Sequence, residues 1–448
     1  MIKVSVIMPS KNVRAYIKEC LLSVQNQTLD EIEILCIDAF STDGTREIIT
    51  KCAAQDARIK LIDDEKGSTG YSFQKALKLA KGEYISIVET DDYIRKDMLE
   101  ILYEKAVFYN LDFIKADFKA ILDIDSNRFF VEIPTFYNED KKYYNRIINK
   151  DICHNLRIFD GYVWKGIYKR KFLLDNNIFM HETKGAAFQD QGFLYQTIQK
   201  ADKVMYLDEE LYYYRRDNEN SSVYSSNMID NMMKEYQLIE QDIVNKKFSI
   251  AGWEDVFYYE KFARYKNVLK HSAKRLWKEK LNTIREQFQD PLINGFISEK
   301  SGYVYQDLMK LYLSVDYYID ALIKELDFCK NRIRNVVCIT NKKNVVIFGE
   351  GLIGKDVLCA IKRFGTGTVK CFMDNDERKW GKQVNKILVE SPAEMEQYKD
   401  CFFVIANEKH VIDIWKQLIK NGISAQNISI CNYVLDSYEV TSMKMKID

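Results

Sequence analysis

The chain has 448 residues, 47% of them hydrophobic and 29% charged. That composition can build cores for two or three domains and excludes a disordered or collagen-like chain. Lys plus Arg and Asp plus Glu balance at 66 each, so no overall field draws the protein to nucleic acid, which is not expected as a partner. The ten cysteines stand singly, without a C-x-x-C pair, so buried free thiols in a reducing compartment are expected rather than a disulfide or zinc framework. The amino-terminal residues read as a strand without a charged leader, and no run of about 18 uncharged apolar residues follows anywhere. The expected location is cytoplasmic.

Residues 4–8 read as a strand closed by the turn Pro9-Ser10-Lys11-Asn12, and Ile17, Cys20, Leu21 and Val24 follow at helical spacing. Residues 33–37 form the next strand, closed by the polar turn 39–44. A helix over 45–54, a strand over 59–62, a helix over 72–80 ended by Gly82, and a strand over 84–88 come next, the last running into Glu89-Thr90-Asp91-Asp92. Strands alternating with helices imply βαβ units and a mostly parallel sheet, whose ligands lie beyond the carboxyl ends of the strands. Pro9 to Asn12, Asp38, and Glu89 to Asp92 all fall at such ends. Residues 217–335 hold few glycines and one proline, Pro291, and are helix-compatible. There Tyr312, Val315, Ile319, Leu322, Leu326, Cys329 and Ile333 recur at steps of three and four. That seam suits either an ordinary amphipathic helix, or a coiled coil that forms a homodimer through residues 312–336 or a spacer helix. After Lys343 the βα alternation returns, with strands over 345–348, 369–373 and 401–405, so about three strands are expected there. The fold class is α/β, with domains expected over 1–225, 226–340 (helical) and 341–448.

Three carboxylates within Glu89-Thr90-Asp91-Asp92 repel one another unless a cation or hydrogen-bond donors offset them. Hard oxygen ligands suit Mg²⁺ or Mn²⁺, bound together with substrate phosphates. The alternative is a helix cap, in which Asp91 or Asp92 starts a helix near Arg95.

The ordered set VSVIMPSKN, IDAFSTDGT, KALKLAKGEYISIVETDD, VWKGIYKRKFL, FQDQGF and LYYYRRDNENSS resembles the inverting, nucleotide-sugar-dependent glycosyltransferases of family 2, which have a GT-A fold. The resemblance covers residues 1–225. It implies that Pro9, Lys11 and Asn12 form the first nucleotide-binding turn and that Asp38 contacts the base, usually uracil. Asp43 and Gly44 would shape the loop over the nucleotide. Glu89-Thr90-Asp91, followed by Asp92, would stand for the metal-binding Asp-x-Asp, placing Thr90 against the nucleotide-sugar and a divalent Mn²⁺ or Mg²⁺ on the carboxylates. Asp190 would be the catalytic base, with a helix N-cap as its bland alternative. Trp164 and Lys165 would face the acceptor, Tyr214 and Arg215 the phosphates, and His181 could approach the metal. Three departures stand out. Glu89 replaces the usual Asp, and Gln189 replaces a Glu beside the base, which should lower the Asp190 pKa. The third is Ser72-Phe73-Gln74-Lys75 where the family has a nucleotide-contacting Arg, with Lys75 as a substitute. The implied reaction is direct displacement, in which Asp190 deprotonates an acceptor hydroxyl that attacks the anomeric carbon of a nucleotide-sugar, expected to be a UDP-sugar. The acceptor would be a glycan, a lipid-linked saccharide or a glycoprotein.

Gly349, Gly351 and Gly354 follow a strand at G-x-G-x-x-G spacing, and Asp374 ends the next strand. This pattern suits a pyrophosphate at a helix N-terminus with an acid on a ribose hydroxyl. With FMDNDERKWGK, the segment resembles small Rossmann-like domains attached to some bacterial sugar-transferring enzymes. NAD, another nucleotide ligand, and a structural or docking role all remain open. Residues 261–280 interleave Arg264, Lys266, Lys270, Lys274, Arg275 and Lys278 with Phe262, Tyr265, Leu269, Leu276 and Trp277. A basic helix of this kind can make peripheral contact with the inner face of the membrane, or be a solvated face whose apolar side packs inward. The expected function is a metal-dependent inverting glycosyltransferase. The alternatives are a silent nucleotide-sugar-binding scaffold and a nucleotide-sugar oxidoreductase or epimerase using the C-terminal glycines.

Overall fold

A computed structural model describes residues 1–124, 127–155, 161–185, 188–218 and 227–431. The chain divides into two compact units, one of Met1–Lys119 with Pro134–Ala321, the other of Ala120–Ile133 with the chain from Leu322 onward. The elements run β1 (Val4–Ser10), α1 (Ile17–Gln25), β2 (Ile32–Asp38), α2 (Thr45–Ala53), β3 (Ile59–Asp63), α3 (Thr69–Leu79), β4 (Tyr84–Ile87), β5 (Tyr93–Ile94) and α4 (Met98–Phe108). There follow β6 (Phe113–Ile124), β7 (Asn127–Ile133), α5 (Lys150–Asn155), β8 (Gly166–Lys169), α6 (Arg170–Asp175), α7 (Asp190–Lys200) and β9 (Val204–Arg215). The helical stretch comprises α8 (Met228–Val244), α9 (Glu254–His271), α10 (Trp277–Gln287), α11 (Gln289–Ile293), α12 (Tyr303–Leu313) and α13 (Val315–Thr340).

The first sheet has the order β3-β2-β1-β4-β8-β6-β9-β5, with β7 beside β6. Strands β3, β2, β1 and β4 run parallel, and β8 turns antiparallel against both β4 and β6. Every residue of β2 is buried, the near-continuous apolar run of a strand covered on both faces. Glu33 sits inside that run because its carboxylate is fully engaged. It accepts from Ser5 Oγ (2.7 Å), Lys81 N (2.6 Å) and Lys60 Nζ (2.6 Å). Gly82 donates to the same Ser5 Oγ at 2.8 Å, and a Cβ there would lie 2.4 Å from Ser5 N. Gly82 therefore admits the start of β4 against β1, a closer approach than a helix stop requires.

The second unit continues with β10 (Asn344–Phe348), α14 (Leu352–Phe364), β11 (Thr368–Met373), β12 (Gln383–Val384), β13 (Ile387–Glu390), β14 (Phe402–Ile405), α15 (Val411–Lys420) and β15 (Ile428–Ile430). Its sheet order is β12-β13-β11-β10-β14-β15, parallel except for the β12–β13 hairpin. The expected three strands are thus joined by three others of two to four residues, too short to show a period in sequence. Ala120, Leu122 and Val131 belong to this unit's core with Val345, Ile347, Val357 and Ile361, a contribution from far upstream that the sequence order conceals.

Two sequence expectations for the helices are corrected. The seam from Tyr312 is interrupted at Ser314, between α12 and α13, and Val315, Leu322, Leu326 and Ile333 are buried within the chain, so the apolar face offered for a homodimer is already covered. The basic stretch 261–280 is not one helix, because α9 ends at His271 and α10 begins at Trp277. Its aromatic and aliphatic residues Phe262, Tyr265, Leu269 and Trp277 are buried. Lys261 is buried on Glu240, Lys266 pairs with Asp307, and Lys280 pairs with Asp230. The inward-packed reading fits and the membrane-lying helix does not. None of the ten cysteines forms a disulfide, and among the described residues no helix is long and apolar enough to cross a membrane.

Candidate active site

The ends of β1, β2 and β3 are tied together by Asp38. Its buried carboxylate accepts from Ser41 Oγ (2.6 Å), Ser41 N (3.0 Å), Ser10 Oγ (3.2 Å) and Arg46 Nη1 (3.2 Å). Arg46 reaches on to Asp63 at 2.5 Å, while Lys75 donates to the Asp63 carbonyl (2.7 Å) and to Glu65 (2.7 Å). Lys75 therefore stands on the strand-end chain that includes Asp38, with its ammonium group held by Asp63 and Glu65. Asn12, in the left-handed region at φ 52°, accepts from Thr42 N and donates its own N–H to Ser41 Oγ, both at 2.9 Å. Lys11 is exposed, and its Nζ lies 3.5 Å from where a Cβ on Gly67 would stand. Asp43 accepts from Thr45 N, Thr45 Oγ1 and Arg14 N. Burial pushes its carboxyl up, but these bonds outweigh burial and hold it below the usual carboxylate range. It shapes the loop, with Gly44 at φ 101° supplying the turn.

The acidic turn after β4 separates its carboxylates by direction. Thr90 donates to the Pro9 carbonyl at 2.8 Å and pins the turn to the end of β1. Asp92 points inward, accepting from Tyr212 OH at 2.8 Å and from Arg215 N at 2.7 Å. Both its oxygens are used within the protein, so its expected place among the metal ligands is corrected to that of a brace. Asp91 accepts from Asn218 Nδ2 at 2.8 Å, and burial pushes its carboxyl up. Glu89 is half-buried and its carboxylate has no hydrogen-bond partner among the described residues. Burial first, then the charges of Asp91 and Asp190, push it up to about 8. The helix-cap alternative fails because β5 intervenes and α4 begins only at Met98. Arg215 is buried, donates from Nε to the Asp91 carbonyl (2.9 Å) and from Nη2 to Glu19 (2.8 Å), and lies over the Tyr16 ring. It holds the turn in shape, where the sequence suggested a direct phosphate contact.

Asp190 is the first residue of α7, preceded by Phe188 at φ 65°. Among the described residues its side chain caps nothing and receives one bond, from Gln191 Nε2 at 3.3 Å. Burial pushes its carboxyl up, against the opposing effects of Gln191, Arg264 and Lys115. The downward shift expected from Gln189 is thus overridden, because desolvation outweighs one absent neighbouring charge. Gln189 has a structural role of its own. Its amide donates to the Thr183 carbonyl (3.2 Å), Thr183 Oγ1 (2.9 Å) and the Gly185 carbonyl (2.9 Å), where a glutamate would set oxygen against carbonyl oxygen.

Three other expected residues are placed differently. Trp164 is buried in a stack between Tyr212 (4.2 Å) and Tyr214 (4.9 Å). Lys165 is buried beside it and donates to Thr135 Oγ1 at 2.7 Å. Both form the wall behind a site, and neither displays its side chain to an acceptor. His181 has one ring nitrogen 2.7 Å from Glu235 Oε1 and the other 2.9 Å from Asp242 Oδ2, so it has no lone pair to offer a metal. Sequence reasoning missed Arg46, Tyr212, Asn218 and Arg264. It also missed Asp64, whose carboxylate gathers Lys66 N, Gly67 N, Ser68 N and Ser72 Oγ. Asp64 was findable as an Asx turn closed by Gly67 and Ser68; Arg264 carries no local signal.

In the second unit Gly349 has φ 112°, and a Cβ on Gly354 would lie 1.9 Å from the Gly349 carbonyl oxygen. Asp374 accepts from Glu350 N, Asp376 N and Lys379 Nζ, each at 2.9 Å. Its carboxylate therefore closes the glycine turn on itself.

A parallel sheet whose strand ends gather a buried acid, a pinned polar turn and an under-compensated acidic turn defines a nucleotide-handling α/β enzyme. Residues 5–166 match Glycosyl transferase family 2, and residues 341–429 match the family C2185-like, N-terminal. The uncharacterized glycosyltransferase EpsJ of Bacillus subtilis is 32% identical over 251 residues, covering 52% of this chain and 67% of EpsJ. Glycosyltransferase GlyG of Streptococcus pneumoniae is 29% identical over 217 residues, covering 48% of this chain and 70% of GlyG. The crystal structure of S. aureus TarS 1-349 in complex with UDP superposes with a TM-score of 0.52 at 22% identity, over 72% of this chain and 91% of that one. The chain belongs to glycosyltransferase family 2, and it is a sugar-transferring enzyme with the GT-A fold.

Proposed function

We propose that the first unit transfers a sugar from a UDP-sugar to an acceptor hydroxyl with inversion, Asp190 acting as the base. The observation that carries this is the under-compensated carboxylate group at the strand ends, where Asp190 and Asp91 both push Glu89 up. Perturbed carboxylates of this kind concentrate at reaction centres. The UDP complex of TarS supports the choice of donor base, and a glycan acceptor fits the class.

Asp190 takes the proton of the acceptor hydroxyl as the oxygen attacks the anomeric carbon. The bond from that carbon to the β-phosphate oxygen breaks, and the nucleoside diphosphate leaves with the electron pair. Lys11 faces the nucleotide from the turn that Asn12 and the buried Asp38 hold in shape, and Arg215 and Asp92 keep the acidic turn in register. Among the described residues no group of three or more His, Cys, Asp or Glu is suited to hold a metal ion. Glu89 and Asp91 fit the other common arrangement, in which one or two carboxylates bind the ion together with substrate phosphates. A divalent cation there would offset charge on the leaving diphosphate. Asp190→Asn should lower turnover by about 10²–10⁴-fold while stabilisation by UDP persists in thermal melts. Undiminished transfer would remove Asp190 from the reaction.

A further inference from the structure

His181 lies on the segment leading to Asp190, and its two ring nitrogens face two carboxylates of α8, Glu235 Oε1 at 2.7 Å and Asp242 Oδ2 at 2.9 Å. A neutral imidazole has one N–H and one lone pair, so with Glu235 and Asp242 both ionised, satisfying both acceptors takes the doubly protonated ring; burial raises the Glu235 carboxyl and the imidazolium's charge opposes that rise. Both carboxylates are buried, and Glu235 Oε2 has no hydrogen-bond partner among the described residues. Loss of the second proton would set a lone pair against a buried anion, which is costly.

The surroundings leave the ring little freedom. On α7, a Cβ at Gly192 would lie 3.6 Å from His181 Cε1 and 3.4 Å from Glu235 Oε1. On α3, a Cβ at Gly70 would lie 2.0 Å from the His181 carbonyl oxygen. Lys247 pairs with the far oxygen of Asp242 at 2.6 Å, Glu182 pairs with Lys66, and the Phe179 ring meets the imidazole edge-on at 5.6 Å. Asp190 is near enough for its charge to act on Glu235. The same segment is held on its other side by Gly185, whose N–H donates to the Gly67 carbonyl (2.8 Å) and whose carbonyl accepts from Thr69 N (3.1 Å).

We infer that His181, as an imidazolium clamped between Glu235 and Asp242, is a positioning residue that fixes the segment carrying Asp190, so that transfer requires His181 to be protonated. The inference rests on the reading of Asp190 as the base. Burial lowers the imidazole's affinity for its second proton, but Glu235 and Asp242 outweigh burial and raise the pKa above the ordinary histidine value. The clamp is therefore complete below the ordinary value and is lost as pH rises through the raised one. Asp190 must be ionised and sets the acid limb of the pH–rate profile, while His181 sets the alkaline limb.

The test uses the full chain with ¹³C-labelled histidine Cε1. It contains four histidines, and the His181 signal is the one missing from His181→Gln. Its titration midpoint should lie above about 6.5 and fall by about one unit in Asp242→Asn. The alkaline limb of kcat/KM should move down by the same amount, and His181→Gln should lose at least about tenfold in kcat with donor KM little changed. A midpoint at or below about 6.5, or an alkaline limb that stays in place in Asp242→Asn, overturns the clamp. Asp242→Asn conserves shape, and its shift of the alkaline limb is read without His181→Gln, so that arm stands even where His181→Gln fails to fold. Transfer surviving in Asp190→Asn while the His181 midpoint stays raised overturns the base reading alone.

Discussion

Each unit of this protein carries a polar loop with acids beyond the ends of its parallel strands, yet the two loops treat their charges in opposite ways. In the second unit Asp374 receives two backbone N–H groups and Lys379, and Glu350 has Lys355 and Lys379 at 3.3 and 3.5 Å. Among the described residues of the first unit Glu89 has no hydrogen-bonded partner, and Asp91 and Asp190 have a single side-chain donor each, Asn218 and Gln191. A turn that has satisfied its own donors and acceptors has no unmet demand for a ligand; one left with repelling carboxylates does. The glycine pattern, which from sequence was the more specific-looking motif, marks the closed turn. The acidic turn, weaker as a motif, marks the open one.

The most direct way to break this contrast is Asp91→Ala. Wild-type protein with UDP and Mn²⁺ at about 100 times the dissociation constant should gain about 2.7 kcal/mol, read as a rise in melting temperature. The variant should lose the manganese-dependent part of that gain, and a retained manganese effect would place the ion on other residues. Gly354→Ala should produce the next largest effect, on stability alone. Exchanging a helical glycine for alanine gains at most about 1 kcal/mol. A methyl 1.9 Å from the Gly349 carbonyl oxygen forces the turn apart and costs about 3 kcal/mol. Hydrogen exchange in β10 and α14 should report that loss, while transfer by the first unit goes on.

A smaller effect sharpens the same contrast through pH. Burial raises the Asp374 carboxyl, but bonds from Glu350, Asp376 and Lys379 outweigh it and hold the pKa below the usual carboxylate range. A depressed folded pKa contributes stability that is present above about 3.9 and lost as pH falls through the lower folded value. Asp374→Ala should cost about 2 kcal/mol at neutral pH, and exchange protection in the second unit should then lose most of its acid dependence. Equal acid dependence with and without Asp374 would show that its charge is not what closes the turn.

How much of this was legible follows from the distance over which each feature is written. The strands β1, β2 and β4, the acid Asp38 and the acidic turn were visible because their pattern lies within ten residues of chain. Which of Asp91 and Asp92 turns inward was not, because the choice is made by Tyr212, 120 residues from Asp92. The histidine clamp is written at His181, Glu235 and Asp242, on two segments with no shared local pattern. Trp164 and Lys165 could be recognised as a motif, but only their neighbours Tyr212, Tyr214 and Thr135 show that both side chains are buried in the wall.

The smallest expected effect discriminates most finely. Gly351 stands at the N-cap of α14 with φ −66°, a conformation open to any residue, and a Cβ there would meet nothing within 4 Å. Gly351→Ala should therefore change stability by less than about 0.5 kcal/mol and leave transfer unaltered. In a dinucleotide-binding turn that same glycine is required because the pyrophosphate approaches the backbone where the methyl would stand. If NAD or a nucleotide-sugar stabilises the wild-type second unit and Gly351→Ala abolishes the gain, the open space above Gly351 is a ligand's and the turn is not closed. A variant that melts like the wild type, with neither protein responding to those ligands, leaves Asp374 and Glu350 as the turn's only occupants and confines nucleotide chemistry to the first unit.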